Sequence, residues 1–291
     1  ITPIAEGPFT VDIAEDIAVD AAGNNNTAAI QAASTFDSTP PTVLIQNVPN
    51  ATNEVFTATF QFSEAVTSFT DSDISLTNAT LSNFTSVDSD TYTATISPVS
   101  EGTFTISIPA GSAQDVAANV NSAASPASGS YDVTVPSVIF QNVPLNTSGA
   151  FTVRVQFSED VTGFTADDIT IANATLSDFI VVDGSTYTAT ITPTNEGLYT
   201  LDIAANVVAD LAGNNNVAAI QASGNFDATV PSIVIEDVPN ESNAPFTATF
   251  QFSEDITGFT QSDVSLTNAS ISNFVTVDAD TYTALITPTA D

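Results

Sequence analysis

One period governs this chain. Gln61-Phe62-Ser63-Glu64 recurs as Gln156-Phe157-Ser158-Glu159 and as Gln251-Phe252-Ser253-Glu254, a step of 95 residues each time. Tyr92, Tyr187 and Tyr282 keep the step, as do Asp20, Asp115 and Asp210, and Asp37, Asp132 and Asp227. No insertion or deletion breaks the register, so each copy has one length and is expected to have one fold. Ile1 to Glu6 stand at the same phase of the repeat as Ile286 to Asp291. Prolines mark the joints: Thr39-Pro40-Pro41, Val135-Pro136 and Val230-Pro231 each follow an Asp and precede an apolar run. Proline fixes φ and stiffens so short a linker. The expected organisation is a partial unit 1–37, complete units 38–132 and 133–227, and a partial unit 228–291.

Inside a unit the hydrophobic period is two. Phe56, Ala58, Phe60 and Phe62 alternate with Thr57, Thr59 and Gln61, and Tyr92, Ala94 and Ile96 alternate with Thr91, Thr93 and Thr95. Such alternation, rich in β-branched and aromatic residues, reads as strands with one buried face. Seven strands are predicted in the unit 38–132, over about 42–48, 56–64, 73–77, 80–87, 91–97, 103–108 and 122–132. Seven short strands in a unit of about 95 residues predict an all-β chain of tandem immunoglobulin-like β-sandwich domains. A domain of that size buries its own core without staples. The rings of Phe60, Phe62, Phe84, Tyr92 and Phe104 are therefore assigned to the core.

Charge narrows the function classes. The chain carries 34 Asp plus Glu against one basic residue, Arg154, for a formal charge of −33, and has no His or Cys. Nucleic-acid binding through a basic surface is excluded, and so is adhesion to an anionic membrane through a basic patch. No apolar run approaches the roughly 18 residues of a membrane span. Disulfides, zinc sites of Cys or His, and Ser-His-Asp triads lack their residues. Paired acids raise the possibility of a glycosidase, but these acids recur in every unit, and no enzyme is expected. Without a start Met or a signal peptide, the sequence reads as an internal or processed segment of a larger product.

The acids also suggest a ligand. In a sandwich whose strands run alternately up and down, three loops of each unit meet at the pole facing the unit before. In the unit 38–132 that pole collects Glu64 and Asp73 from the second-to-third loop, and Asp115, Asn119 and Asn121 from the sixth-to-seventh; Asp37 arrives from the preceding unit. The next pole collects Asp132, Glu159, Asp168, Asp210, Asn214 and Asn216. The partial units offer Asp20, Asn24 and Asn26 at one end, and Asp227, Glu254 and Asp263 at the other. Hard oxygen donors at this density, with no cation in the chain to neutralise them, suit Ca²⁺, which takes six to eight oxygens in flexible geometry. Asp with Asn four and six residues later also makes a turn without any metal. Asp88 and Asp90 are set aside as solvated loop acids. Gly213 becomes Ala118 in the second copy of the loop, which predicts strain there if the position needs φ > 0.

These motifs carry a resemblance. The Ser-Glu strand end, Gly163-Phe164-Thr165 followed by Asp168-Ile169, Thr91 to Ile96 and the Asp210–Asn214 loop are similar to the tandem bacterial Ig-like repeats of giant cell-surface adhesins. The resemblance implies domains arranged as a rod, outside the cell and at its surface. It implies a structural spacer or stalk of an adhesin or fibre, stiffened by interdomain calcium, with neighbouring repeats of the same chain as its partners and no membrane insertion. Two alternatives remain at this point. One is a filament subunit whose terminal part-domains are completed by strand donation between chains. The other is a carbohydrate-binding module, which requires an exposed aromatic platform.

Overall fold

A computed structural model describes residues 1–289 of the chain. Strand β1 (Gly7–Val11) pairs antiparallel with β2 (Ala32–Phe36). The domain that follows contains β3 (Val43–Gln46), β4 (Ala51–Thr52), β5 (Phe56–Phe62), β6 (Ser75–Thr77), β7 (Ala79–Ser86), β8 (Thr91–Pro98), β9 (Gly102–Ser107) and β10 (Ala127–Tyr131). Its repeat contains β11 (Val138–Gln141), β12 (Asn146–Thr147), β13 (Phe151–Phe157), β14 (Ile169–Ala172), β15 (Ala174–Val181), β16 (Thr186–Pro193), β17 (Gly197–Ile203) and β18 (Ala222–Phe226). The last segment holds β19 (Ile233–Glu236), β20 (Phe246–Phe252), β21 (Ala269–Thr276) and β22 (Thr281–Pro288). By proximity of Cα atoms the chain divides into two compact units. One comprises residues 1–143, 151–191 and 200–222; the other comprises 144–150, 192–199 and 223–291.

Each domain is a two-sheet immunoglobulin-like sandwich. In the first, β3-β5-β8-β7 form one sheet and β4-β10-β9-β6 the other. The pairs are antiparallel except β4 with β10, which run parallel in the register Ala51↔Ser130 and Thr52↔Tyr131. The short strand β4 was not anticipated. Residues 47–50 carry the chain from one sheet to the other, so the strand expected over 42–48 ends as β3 at Gln46 and an unpredicted strand follows it. The last strand begins at Ala127 rather than near residue 122, because the preceding stretch bonds outside the sheet: Ser122 N–H donates to Pro41 C=O (2.9 Å) and Ala124 N–H to Ile108 C=O (3.0 Å).

The alternating pattern resolves into one buried and one wet face. Phe60, Phe62, Tyr92, Ile96 and Phe104 are buried, while the Thr residues between them are not. Phe69 is the hub of this core: its ring meets Phe62 and Tyr92 at 5.0 Å each and Phe84 at 5.6 Å, edge to face. Phe164 and Phe259 take the same place among their own rings. Edge-to-face rings add about 0.5–1.5 kcal/mol per pair beyond area burial. The named aromatic stripe thus supplies core and not an exposed carbohydrate platform.

Candidate interdomain acidic site

The long loop between β9 and β10 is built around one aspartate. Asp115 Oδ1 accepts the Asn119 N–H (2.9 Å) and its Oδ2 accepts the Asn119 amide (2.8 Å), so the side chain closes its own turn. Asp210 and Asn214 repeat this at 2.8 and 2.8 Å. Asp20 and Asn24 do so at 2.9 and 2.9 Å. The turn requires a left-handed residue: φ is +90° at Gly23, +99° at Gly213 and +68° at Ala118. The predicted strain therefore falls on Ala118.

Asp115 and Asp210 are buried, and each meets two further carboxylates. Oxygens of Asp37, Glu64 and Asp115 lie within 4.8 Å of one another, and so do those of Asp132, Glu159 and Asp210. The three acids of a group come from the joint, from just past β5 or β13, and from the loop. The joint acid is aimed by its own turn: Asp37 Oδ1 accepts Thr39 N–H (2.9 Å) and Asp132 Oδ1 accepts Thr134 N–H (2.8 Å). The loop also grips the joint, since the Asn119 amide donates to Asp37 C=O (3.1 Å) and the Asn214 amide to Asp132 C=O (2.9 Å).

Electrostatics at both groups is unfavourable without a cation. Carboxylates this close repel by roughly 3–4 kcal/mol per charged pair at an effective dielectric near 20. Burial, then the charges of Asp37 and Asp115, push the Glu64 carboxyl above its ordinary value. Burial, then Asp132, Asp210 and Glu101, do the same to Glu159. Asp115 goes the other way. Burial favours its neutral form, but the Asn119 side chain and the N–H groups of the turn outweigh this and hold its pKa low. Glu159 Oε1 is shielded from water and has no hydrogen-bond partner, and the same is true of Glu254 Oε1. A buried carboxylate oxygen without a donor is costly. Hard oxygen donors with one orphaned atom among them fit Ca²⁺.

The other candidate residues have different duties. Asn121 is a loop brace: its oxygen accepts Ala113 N–H (2.8 Å), and its amide donates to Pro109 C=O (3.1 Å) and Ser122 C=O (2.8 Å). Asn26 and Asn216 make the equivalent bonds in their own loops. Asp73 caps a 3₁₀ turn, with Oδ2 accepting Thr70 N–H and Oγ1 at 2.8 Å each, and Asp168 and Asp263 cap theirs likewise. Turn chemistry accounts for the recurrence of these six residues, and Asp73, Asp168 and Asp263 join neither acidic group among the described residues. Asp20 is exposed, and its loop carries Asn24 and Asn26 as in the other copies. Asp227 and Glu254 line one cleft of about 380 Å³ with Glu196, Thr229 and Ser253.

The sequence reading missed Glu101. Its Oε1 accepts Thr134 Oγ1–H (2.9 Å) and Val133 N–H (3.4 Å), behind the Asp132 joint. The signal was present, because Glu6, Glu101 and Glu196 keep the 95-residue step. Glu6 bonds Ser38 and Glu196 bonds Thr229 in the same way.

The family model of the bacterial Ig-like domain matches residues 37–135, 132–227 and 227–291. The chain belongs to this family. The family is an immunoglobulin-like domain, which supports the non-enzymatic reading. No curated protein sequence matches the chain. Among solved structures the chain is similar to invasin, described as a bacterial integrin-binding protein, at 14% identity and a TM-score of 0.33, over 87% of this chain and 55% of that one. It is similar to InvD of Yersinia pseudotuberculosis at 14% identity and a TM-score of 0.33, over 75% of this chain and 70% of that one. It is also similar to the adhesin InvE of Yersinia pseudotuberculosis at 16% identity and a TM-score of 0.23, over 64% of this chain and 58% of that one. The chain thus spans between one half and three quarters of the length of these proteins.

Proposed function

We propose that the chain is a spacer segment of a bacterial cell-surface adhesin or fibre, located outside the cell, and that calcium held at its joints limits bending between consecutive domains. Membership of the bacterial Ig-like family and tandem domains with one acidic group per complete joint support the reading. The observation that carries it is the buried, unpartnered Oε1 of Glu159 beside Asp132 and Asp210, in a group drawn from two domains. A bound Ca²⁺ supplies the positive charge that this group lacks. Asp132 contributes a carboxylate from the joint, while Glu159 and Asp210 contribute theirs from the following domain, so filling the site ties the two together. Asp37, Glu64 and Asp115 do the same one joint earlier.

Calorimetric titration of the full chain with CaCl₂ tests this. Extracellular modules bind calcium at roughly 10⁻⁴–10⁻³ M, and dissociation constants in that range are expected. Asp210→Ala is expected to abolish one binding event. Asp183→Ala is expected to leave binding intact, since Asp183 caps a separate turn by accepting Ser185 N–H (3.0 Å). Small-angle scattering of the same samples is expected to narrow its distance distribution with calcium. Identical curves in calcium and in chelator overturn the stiffening role, and absence of binding heat overturns the site.

A further inference from the structure

Besides the carboxylates, the joint between the domains 38–132 and 133–227 contains a contact that needs no cation. Asn53 follows β4 in the first domain. Its backbone N–H donates to Ala212 C=O (3.1 Å), and its side-chain amide donates to Asn214 Oδ1 (3.0 Å), both in the calcium-candidate loop of the next domain. Gly213 lies between these two acceptors. The atoms nearest a Cβ built on it are side-chain atoms of Asn53, at 3.6–3.9 Å, so the asparagine packs over the left-handed turn residue.

From this geometry we infer that Asn53 is a metal-independent latch between the two domains and the positioning residue for Asn214. The bonding of Asn214 defines this role. The Asn214 amide nitrogen already serves Asp210 Oδ2 (2.8 Å) and Asp132 C=O (2.9 Å). Only the oxygen remains, and Asn53 takes it, which fixes which end of the amide faces the acids. The donating end then holds Asp210 and the joint in place, and the oxygen points to the earlier domain. Asn214 is buried, so the arrangement is not readily exchanged for water. Part of the order between these domains is thus set before any calcium arrives, and the cation acts on a joint already aligned. The position 95 residues after Asn53 is Ser148, whose side chain is shorter and carries no amide, and the one after that is Asn243.

The inference rests on the same loop as the proposed calcium site, but it is tested in chelator, where calcium plays no part. The full chain is compared with Asn53→Ala and Asn53→Asp, both of which lose the amide donor. Hydrogen exchange at the backbone amides of positions 53 and 214 is read relative to unstructured rates, together with the side-chain NH₂ resonances of Asn214. Both variants are expected to lower protection at these amides about two- to tenfold, which is the worth of one solvent-competed hydrogen bond. Ser148→Ala is expected to change nothing at this joint. Unchanged protection in Asn53→Asp overturns the latch, whether or not calcium binds. So does an effect of Asn53→Ala that Asn53→Asp fails to reproduce. A chain that binds no calcium but shows the loss of protection keeps the latch and discards only the metal site.

Discussion

At the scale of the residue, Glu159 shows how one position carries opposite signs in two states. Its carboxyl is raised by burial and by Asp132, Asp210 and Glu101. A raised folded-state pKa means that the folded chain holds a proton where the unfolded chain has lost it. Protonation at Glu159 then favours folding as the pH falls through the folded pKa, and the charge opposes folding above it. In chelator at neutral pH, Glu159→Gln is therefore expected to raise the melting temperature of its domain. The gain is expected to vanish once the pH falls below the ordinary carboxylate range. In saturating calcium the sign is expected to reverse, because the variant gives up a ligand. Melting curves on a grid of pH and calcium check all three; a variant that is destabilised in chelator at neutral pH contradicts the assignment. The neighbouring Asp210 was legible from recurrence alone. Asn121 and Asp73 recur just as faithfully, yet they serve turns. Periodicity marks a position as required and does not say whether a metal or a backbone N–H requires it.

At the scale of the element, two-residue alternation was enough to place most strands, because one wet and one dry face leave little freedom of register. Phe56 to Phe62 fell within its predicted strand for that reason. The alternation was silent on β4, whose two residues are too few to show a period. It was silent on Asn53 as well, since a polar residue in a loop carries no period-two signal and the position reads Asn53, Ser148 and Asn243 in the three copies. Gly129 did carry a signal, which only the fold makes readable. On its strand β10 a Cβ lies 2.2 Å from Pro49 C=O and 2.6 Å from the Phe104 ring, where the switch from β3 to β4 crosses the last strand. Gly224 meets Pro144 C=O at 2.1 Å in the same way, beside the Tyr199 hydroxyl that bonds that carbonyl. Gly129→Ala is expected to cost about 1–3 kcal/mol, as overpacking does. That lowers the melting point of a domain of this size by about 4–8 °C per kcal/mol. Gly149→Ala, in open space, is the control expected to change little. Scanning calorimetry of the two variants decides the matter, and equal melting points refute the close approach.

At the scale of the whole molecule, a charge of −33 with a single compensating arginine makes any cation stabilising to some degree. Diffuse screening must therefore be separated from site binding. Screening depends on ionic strength, since the Debye length falls to about 10 Å at 0.1 M salt, and it does not distinguish sodium from calcium at matched ionic strength. A site does distinguish them. If the acidic groups bind calcium with a dissociation constant near 10⁻⁴ M, the low end of the range for extracellular modules, then 10 mM calcium is about a hundredfold excess. The linked stabilisation is then about 2.7 kcal/mol for each domain that holds a site. The expected result is a rise in melting temperature of about 11–22 °C for the domains that hold Asp115 and Asp210, from about 4–8 °C per kcal/mol. NaCl at the same ionic strength is expected to give a much smaller rise. Asp227 and Glu254 line one cleft but belong to no three-acid group among the described residues, so the transition of the segment 228–289 is expected to respond to calcium about as weakly as to sodium. A calcium response shared equally by every transition, or matched by NaCl, means that the acids act as a diffuse coat and that the two groups bind no ion.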